Sequence, residues 1–145
     1  MSSPSASPEQ SQGERPYPCV TAETAPFWSA GAEGVLRVKR CLDCARFHHP
    51  PAPLCPYCLS ERLDFQALSG RARVATFTVN HHQWHPAFPP PYVLAIVELE
   101  KAPDVRLTTR LCHVGVDSVS IGMRVRVVFE QVGPAWLPLF EPEVG

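Results

Sequence analysis

Cys41, Cys44, Cys55 and Cys58 form the pattern C-x2-C-x10-C-x2-C, and no other feature constrains the chain as much. A C-x2-C turn aims two sulfurs at one point, and backbone N–H groups of the turn bond those sulfurs. Two such turns complete a tetrahedral tetrathiolate shell, which leaves no coordination position for a substrate or a catalytic water. The cofactor expected is one structural zinc ion; iron in a rubredoxin-like site would use the same ligands. Pro50, Pro51 and Pro53 lie between the pairs and favour a short hairpin that brings them together. A module of about 25 residues buries too little apolar surface to fold alone, so the metal supplies roughly 10 kcal/mol or more of its folding free energy. His48 and His49 sit inside the hairpin as candidate substitutes for a cysteine ligand. With four thiolates already present, they are read as solvent-facing.

Composition narrows the classes further. A chain of 145 residues with 45% hydrophobic and 19% charged residues suits one ordinary domain, or a small module joined to a larger one. Its 17 prolines argue against long helices. The formal net charge is −1, and four bound thiolates with one Zn²⁺ would take it to about −3. Neither value draws the chain toward nucleic acid or an anionic membrane. The start, MSSPSASPEQSQGERPYP, lacks the apolar core of a secretory signal, and no apolar run approaches the ~20 residues of a membrane span. A cytoplasmic location is expected, where paired C-x2-C motifs read as metal ligands rather than disulfides.

Residues 1–16 read as a disordered tail, rich in Ser, Pro, Gln and Glu. Residues 17–40 read as a helical lead-in and a short strand. Thr21 or Thr24 would cap the helix, Phe27 and Trp28 would give it an apolar face, and Gly31 or Gly34 would end it. Residues 41–65 are the zinc ribbon. From 66 to 145 the texture changes to short strands separated by turns: 70–80, 91–100, 104–114, 124–132 and 137–142. Alternation in the first places Val74, Thr76 and Thr78 on one face and Ala75, Phe77 and Val79 on the other. The dense apolar run at 91–100 reads as a strand covered on both sides. Five short strands predict a closed antiparallel barrel, OB-like before SH3-like, and a mainly β fold class overall.

Two groups of side chains outside the cysteines are candidate contacts. The loop NHHQWHPAFPPPY carries His81, His82, Trp84, His85, Phe88 and Tyr92 among prolines. Pro86 argues against a helical His81–His85 metal pair, and no neighbouring serine, cysteine or acid completes a nucleophile and its base. Rigid aromatics and prolines suit a protein interface instead. Arg71 and Arg73, Arg106 and Arg110, and Arg124 and Arg126 fall at even spacings, so each pair shares a strand face. They read first as solvated barrel surface, with coenzyme A phosphates or a nucleic-acid backbone as ligands to be tested. Cys112 reads as a buried apolar residue and Cys19 as an exposed one, neither marked as a nucleophile.

The order of these features resembles a known family. An FW pair in a lead-in, GVLRVKRCLDC, a Pro-rich hairpin, CPYC, SGRARVATFTV, a Pro-rich loop before a strand ending in VEL, and IGMRVRVVFE are similar to the zinc-ribbon/OB-fold family. The likeness runs through nearly the whole chain after residue 17. It implies a rubredoxin-like zinc ribbon on an OB-fold barrel, with Cys41, Cys44, Cys55 and Cys58 as ligands. It also implies a non-catalytic subunit in a hetero-oligomer with a thiolase-superfamily enzyme acting on acyl-CoA, such as the aldolase of steroid side-chain degradation. That enzyme would carry the retro-aldol chemistry and hold the acyl-CoA. Two positions depart from the family pattern: Ala45 stands where glycine is usual, and EKAPDV makes a longer, Pro-containing turn between the second and third barrel strands. The competing reading is a single-strand nucleic-acid-binding OB module with a structural zinc ribbon.

Overall fold

A computed structural model describes residues 15–143. The expected tail falls largely outside this range. Thr21 and Thr24 exchange backbone-to-hydroxyl hydrogen bonds at 3.0 and 3.3 Å and set up helix α1 (Ala25–Ser29), with Pro26 in its first turn. A 3₁₀ turn (Ala30–Glu33) follows and stops at Gly34, whose φ of +72° satisfies the left-handed cap. Gly31 lies tight against the barrel. A Cβ there would fall 2.6 Å from both Phe129 Cδ1 and Trp136 Cβ.

The lead-in enters β1 (Leu36–Cys41), the central strand of a three-stranded sheet. The very short β2 (Phe47–His48) pairs on one side and β3 (Leu63–Leu68) on the other, both antiparallel. The strand predicted before the first C-x2-C therefore belongs to a sheet that carries the ribbon. β3 is absent from the strands expected from the sequence, although Leu63, Phe65 and Ala67 alternate there with Asp64 and Gln66.

The barrel comprises β4 (Arg71–Asn80), β5 (Tyr92–Leu99), β6 (Ala102–Leu111), β7 (Arg124–Val132) and β8 (Ala135–Pro142). It closes in the order β4-β5-β6-β8-β7, with β4 returning to β7 through Arg71–Arg73 and β6 meeting β8 in parallel at Leu111 and Phe140. This is the five-strand closed topology expected of an OB-fold. Val74, Val93, Ala95, Val97, Leu107, Val125 and Phe140 fill its interior, and Phe27, Leu36 and Val38 join the same core. The aromatic pair of the lead-in thus covers the barrel, and the ribbon sheet and barrel share one apolar interior.

Three local expectations change. A bulge between Val74 and Thr76 resets the alternation of β4, so Val74 packs inward with Phe77 and Val79 while Thr76 and Thr78 face out. β5 is buried along one face only; Leu94 on the other is 37% exposed. The connection through EKAPDV is tight rather than long, because Leu99 pairs with Ala102 and Lys101 takes φ +68°. Among the described residues, no helix is long and apolar enough to cross a membrane.

Candidate functional site

The two C-x2-C turns are built alike. Ala45 N–H donates to Cys41 O at 3.0 Å and Leu59 N–H to Cys55 O at 2.9 Å. Ala45 and Leu59, one residue past each pair, hold φ of +66° and +64°. The departure from glycine at 45 is thus accommodated in the left-handed conformation, at a cost near 1 kcal/mol per residue. Backbone N–H groups of Cys44 and Tyr57 reach the sulfurs of Cys41 and Cys55, each at 3.4 Å.

All four sulfurs lie within 4.8 Å of one another, with Cys41 to Cys58 at 3.5 Å and Cys44 to Cys55 at 3.7 Å. A tetrahedral ion with bonds of ~2.3 Å needs sulfurs ~3.8 Å apart, so the cluster fits zinc as it stands. The Cys44 backbone N–H is the main cause that draws the Cys41 thiol down to about 6, against burial, which pushes it up. At Cys58 the Ser60 backbone N–H pulls down, but Cys41 and burial hold the thiol at about 12. When bound, zinc would take all four sulfurs as thiolates and tie the two turns together, and the filled shell makes the site structural.

His48 and His49 are not surface residues of the hairpin. His48 is 4% exposed and both its ring nitrogens are sealed without a hydrogen-bond partner. Its pairing opposite Lys39 turns the ring inward, and burial lowers its pKa, with Lys39 adding to the effect. His49 stacks on Phe27 with ring centroids 4.5 Å apart, and burial brings its pKa down to about 4. No local pattern marks this burial, because the lead-in that covers both rings lies about twenty residues upstream.

The aromatic loop divides into two parts. Trp84 is 74% exposed yet held, its indole N–H donating to Asn80 Oδ1 at 2.9 Å and its ring lying 4.4 Å from that of His82. His81 and His82 share this exposed tip. His85 turns back, where its Nδ1 accepts from Ala87 N–H at 3.0 Å, and its ring approaches Phe88. Phe88 and Tyr92 line a cleft of about 590 Å³ with Trp28, His49, Arg106 and Arg110. This cleft lies where the lead-in, the hairpin, the loop and the outer face of β5, β6 and β8 converge. Its walls are mainly apolar, and Arg15 also reaches it, lying 5.5 Å above the Phe88 ring.

The six arginines are likewise divided. Arg106 and Arg110 belong to that cleft and pair with Glu98 at 2.7 Å and Glu130 at 3.4 Å. Arg71, Arg73 and Arg124 line a separate cleft. Arg126 is held by Glu141 at 2.7 Å.

One cluster was missed. Cys112, His113 and Glu141 place their ligand atoms within 4.8 Å of one another. His113 at φ +57° breaks strand alternation and bonds Glu141 at 2.5 Å. Cys112 is half-buried, and burial is the main cause that raises its thiol pKa. Its Sγ donates to Phe140 O at 3.6 Å, so Cys112 is a half-buried, hydrogen-bonded thiol rather than the buried apolar residue expected from the sequence. A positive φ at a histidine has no marker in a single sequence.

A zinc ribbon whose sheet shares its core with a five-stranded barrel defines a class of rigid two-part modules. The pattern of the ChsH2 rubredoxin-like zinc ribbon domain matches residues 28–64, and that of the ChsH2 C-terminal OB-fold domain matches residues 65–130. The chain belongs to this ChsH2, or DUF35, family.

It is 37% identical over 131 residues to a probable enoyl-CoA hydratase alpha subunit of Thermomonospora curvata, covering 90% of this chain and 40% of the relative. It is 34% identical over 127 residues to the 3-oxo-4,17-pregnadiene-20-carboxyl-CoA hydratase alpha subunit of Mycobacterium tuberculosis, covering 87% of this chain and again 40% of the relative. The chain therefore spans well under half of either. A DUF35 domain-containing scaffold protein of Methanothermobacter thermautotrophicus is 34% identical over 99 residues, 67% of this chain and 73% of the relative. Among solved structures, a chain of the Ltp2-ChsH2(DUF35) aldolase superposes with a TM-score of 0.79 at 36% identity, covering 88% of this chain and 100% of that chain.

Proposed function

We propose that the chain is a non-catalytic subunit that docks on a thiolase-like aldolase and completes its acyl-CoA channel. The partner would cleave a β-hydroxyacyl-CoA in steroid or sterol side-chain degradation. The observation that carries this reading is the 590 Å³ cleft, where Phe88 and Tyr92 from the aromatic loop meet Arg106 and Arg110. Apolar walls with a few cationic groups suit an acyl chain and the anionic carrier attached to it. The solved relative of matching length is a chain of an aldolase complex, which supports the partner class. The Mycobacterium tuberculosis relative is named for a steroid acyl-CoA, which supports the substrate class.

Chemistry is assigned to the partner for a physical reason. The four-cysteine shell is closed, and Cys112 is held as a thiol. The ribbon's contribution is stiffness: it fixes β1, β2 and the hairpin that place His49 against Phe27 at the cleft wall. Its ion is assigned as zinc, with iron in the same thiolates as the other candidate; metal analysis of the purified protein decides between them. Exposed, hydrogen-bonded Trp84 is assigned as the docking anchor, since a held aromatic loses little entropy on binding.

Co-expression with a thiolase-like aldolase tests the reading by size-exclusion chromatography. A stable hetero-oligomer that Trp84→Ala dissociates supports it. Two species that elute apart at micromolar concentration defeat it.

A further inference from the structure

A second cleft, of about 540 Å³, opens where β4 meets β7 and is lined by Arg71, Arg73, Glu98, Lys101, Arg124 and Glu143. Arg73 and Arg124 are direct register partners on these antiparallel strands. Like charges so placed repel. Two residues along the ladder the same conflict is resolved: Arg71 faces Arg126, but Glu143 takes Arg71 at 3.3 Å and Glu141 takes Arg126 at 2.7 Å.

Arg73 and Arg124 have no such relief. Among the described residues, neither makes an ion pair or a side-chain hydrogen bond, and Lys101 beside them makes none either. Glu98 is the register partner of Arg73 on its other side, but Arg106 holds it at 2.7 Å. Glu100, also in the cleft, meets only Ser69 Oγ at 3.4 Å. Three free cations against one free carboxylate leave an uncompensated charge in a concave site. Lys101 additionally holds φ +68°, a strained conformation for a residue with a side chain.

We propose that this cleft is an anion site for the phosphates of a small diphosphate-bearing ligand, with Arg73 and Arg124 as paired guanidinium donors and Lys101 as a third. Two adjacent guanidiniums offer planar forks that match phosphate oxygens, and the ammonium adds a movable point charge. The volume suits a nucleoside diphosphate. The site rests on the barrel alone and is separate from the cleft assigned above to the acyl-CoA.

Inorganic pyrophosphate and ADP are the probes, titrated into the zinc-loaded full chain by calorimetry at low salt. Binding that weakens at least about 10-fold in Arg73→Gln and in Arg124→Gln, but is unchanged in Arg37→Gln, supports the proposal. A stability readout separates binding from misfolding. Without ligand, each glutamine variant should melt about 1–3 °C above the parent because the repulsion is gone. Pyrophosphate should then raise the melting temperature of the parent alone. No binding at millimolar pyrophosphate, or equal binding by the double variant, overturns the proposal. Single-stranded oligonucleotide that outcompetes ADP at these residues overturns it in favour of a nucleic-acid surface. ADP binding in a chain that ignores every thiolase-like enzyme would leave this site standing and defeat the subunit reading.

Discussion

Gly31→Ala should destabilise the protein more than Gly34→Ala, although only Gly34 has a left-handed backbone. The added methyl at 31 would sit 2.6 Å from Phe129 Cδ1 and 2.6 Å from Trp136 Cβ. Carbon atoms pack at ~3.5–4 Å, so the overlap is about 1 Å on each contact. The Phe129 ring can tilt, but Trp136 Cβ is fixed to the backbone of β8. The 3₁₀ turn must therefore retreat, and overpacking of this kind costs about 1–3 kcal/mol. At Gly34 nothing lies within 4 Å, and the cost is the φ of +72° alone, about 1 kcal/mol. Urea unfolding of the zinc-loaded variants measures both, followed through tryptophan emission. Retreat of the turn also lifts Phe27 and Trp28 from the cleft wall, so Gly31→Ala should lose partner affinity where Gly34→Ala keeps it. Equal stability of Gly31→Ala and parent, or a larger loss at Gly34, would refute the close packing of lead-in on barrel.

Cys58→Ser should abolish stoichiometric zinc and unfold the ribbon, exposing Leu36 and Val38 of the shared core; atomic absorption and amide hydrogen exchange read the two effects together. Trp84→Ala should leave the melting temperature within about 1 °C, since the side chain is 74% exposed, yet weaken partner binding by at least about 10-fold in surface plasmon resonance. His49 is held near 4 by burial, below the unfolded histidine near 6.5, so the unfolded chain binds the extra proton between these values. Stability should fall as pH drops from about 6.5 to 4, and His49→Gln should flatten that part of the curve in denaturant titrations. A curve of unchanged slope would show that the ring is solvated.

The parts of the fold legible in the sequence were those set by local chemistry. The C-x2-C spacing determines where four sulfurs can meet, and Gly34 and the prolines mark breaks that no partner is needed to create. The barrel strands were legible where alternation is strict, as in β6. In β4 one bulged residue near Ala75 reverses the faces, and nothing local announces a bulge. His48 and His49 were misplaced because their burial is made by Phe27 and by the sheet pairing of β1, which are long-range. The two arginine clefts share one cause: even spacing tells which arginines lie on a strand face, while barrel closure decides which strands adjoin. Arg73 and Arg124 are 51 residues apart in sequence and become neighbours only through the β4–β7 seam.

The proposed role is completion of a partner enzyme that carries the chemistry itself. The most direct measurement is the retro-aldol rate of a thiolase-like aldolase on a steroid β-hydroxyacyl-CoA, with and without an equimolar amount of the zinc-loaded chain. Turnover is expected only when both are present, with none by this chain alone and a large loss when Phe88 and Tyr92 are replaced by alanine in the cleft. A partner that is soluble and fully active by itself would contradict it.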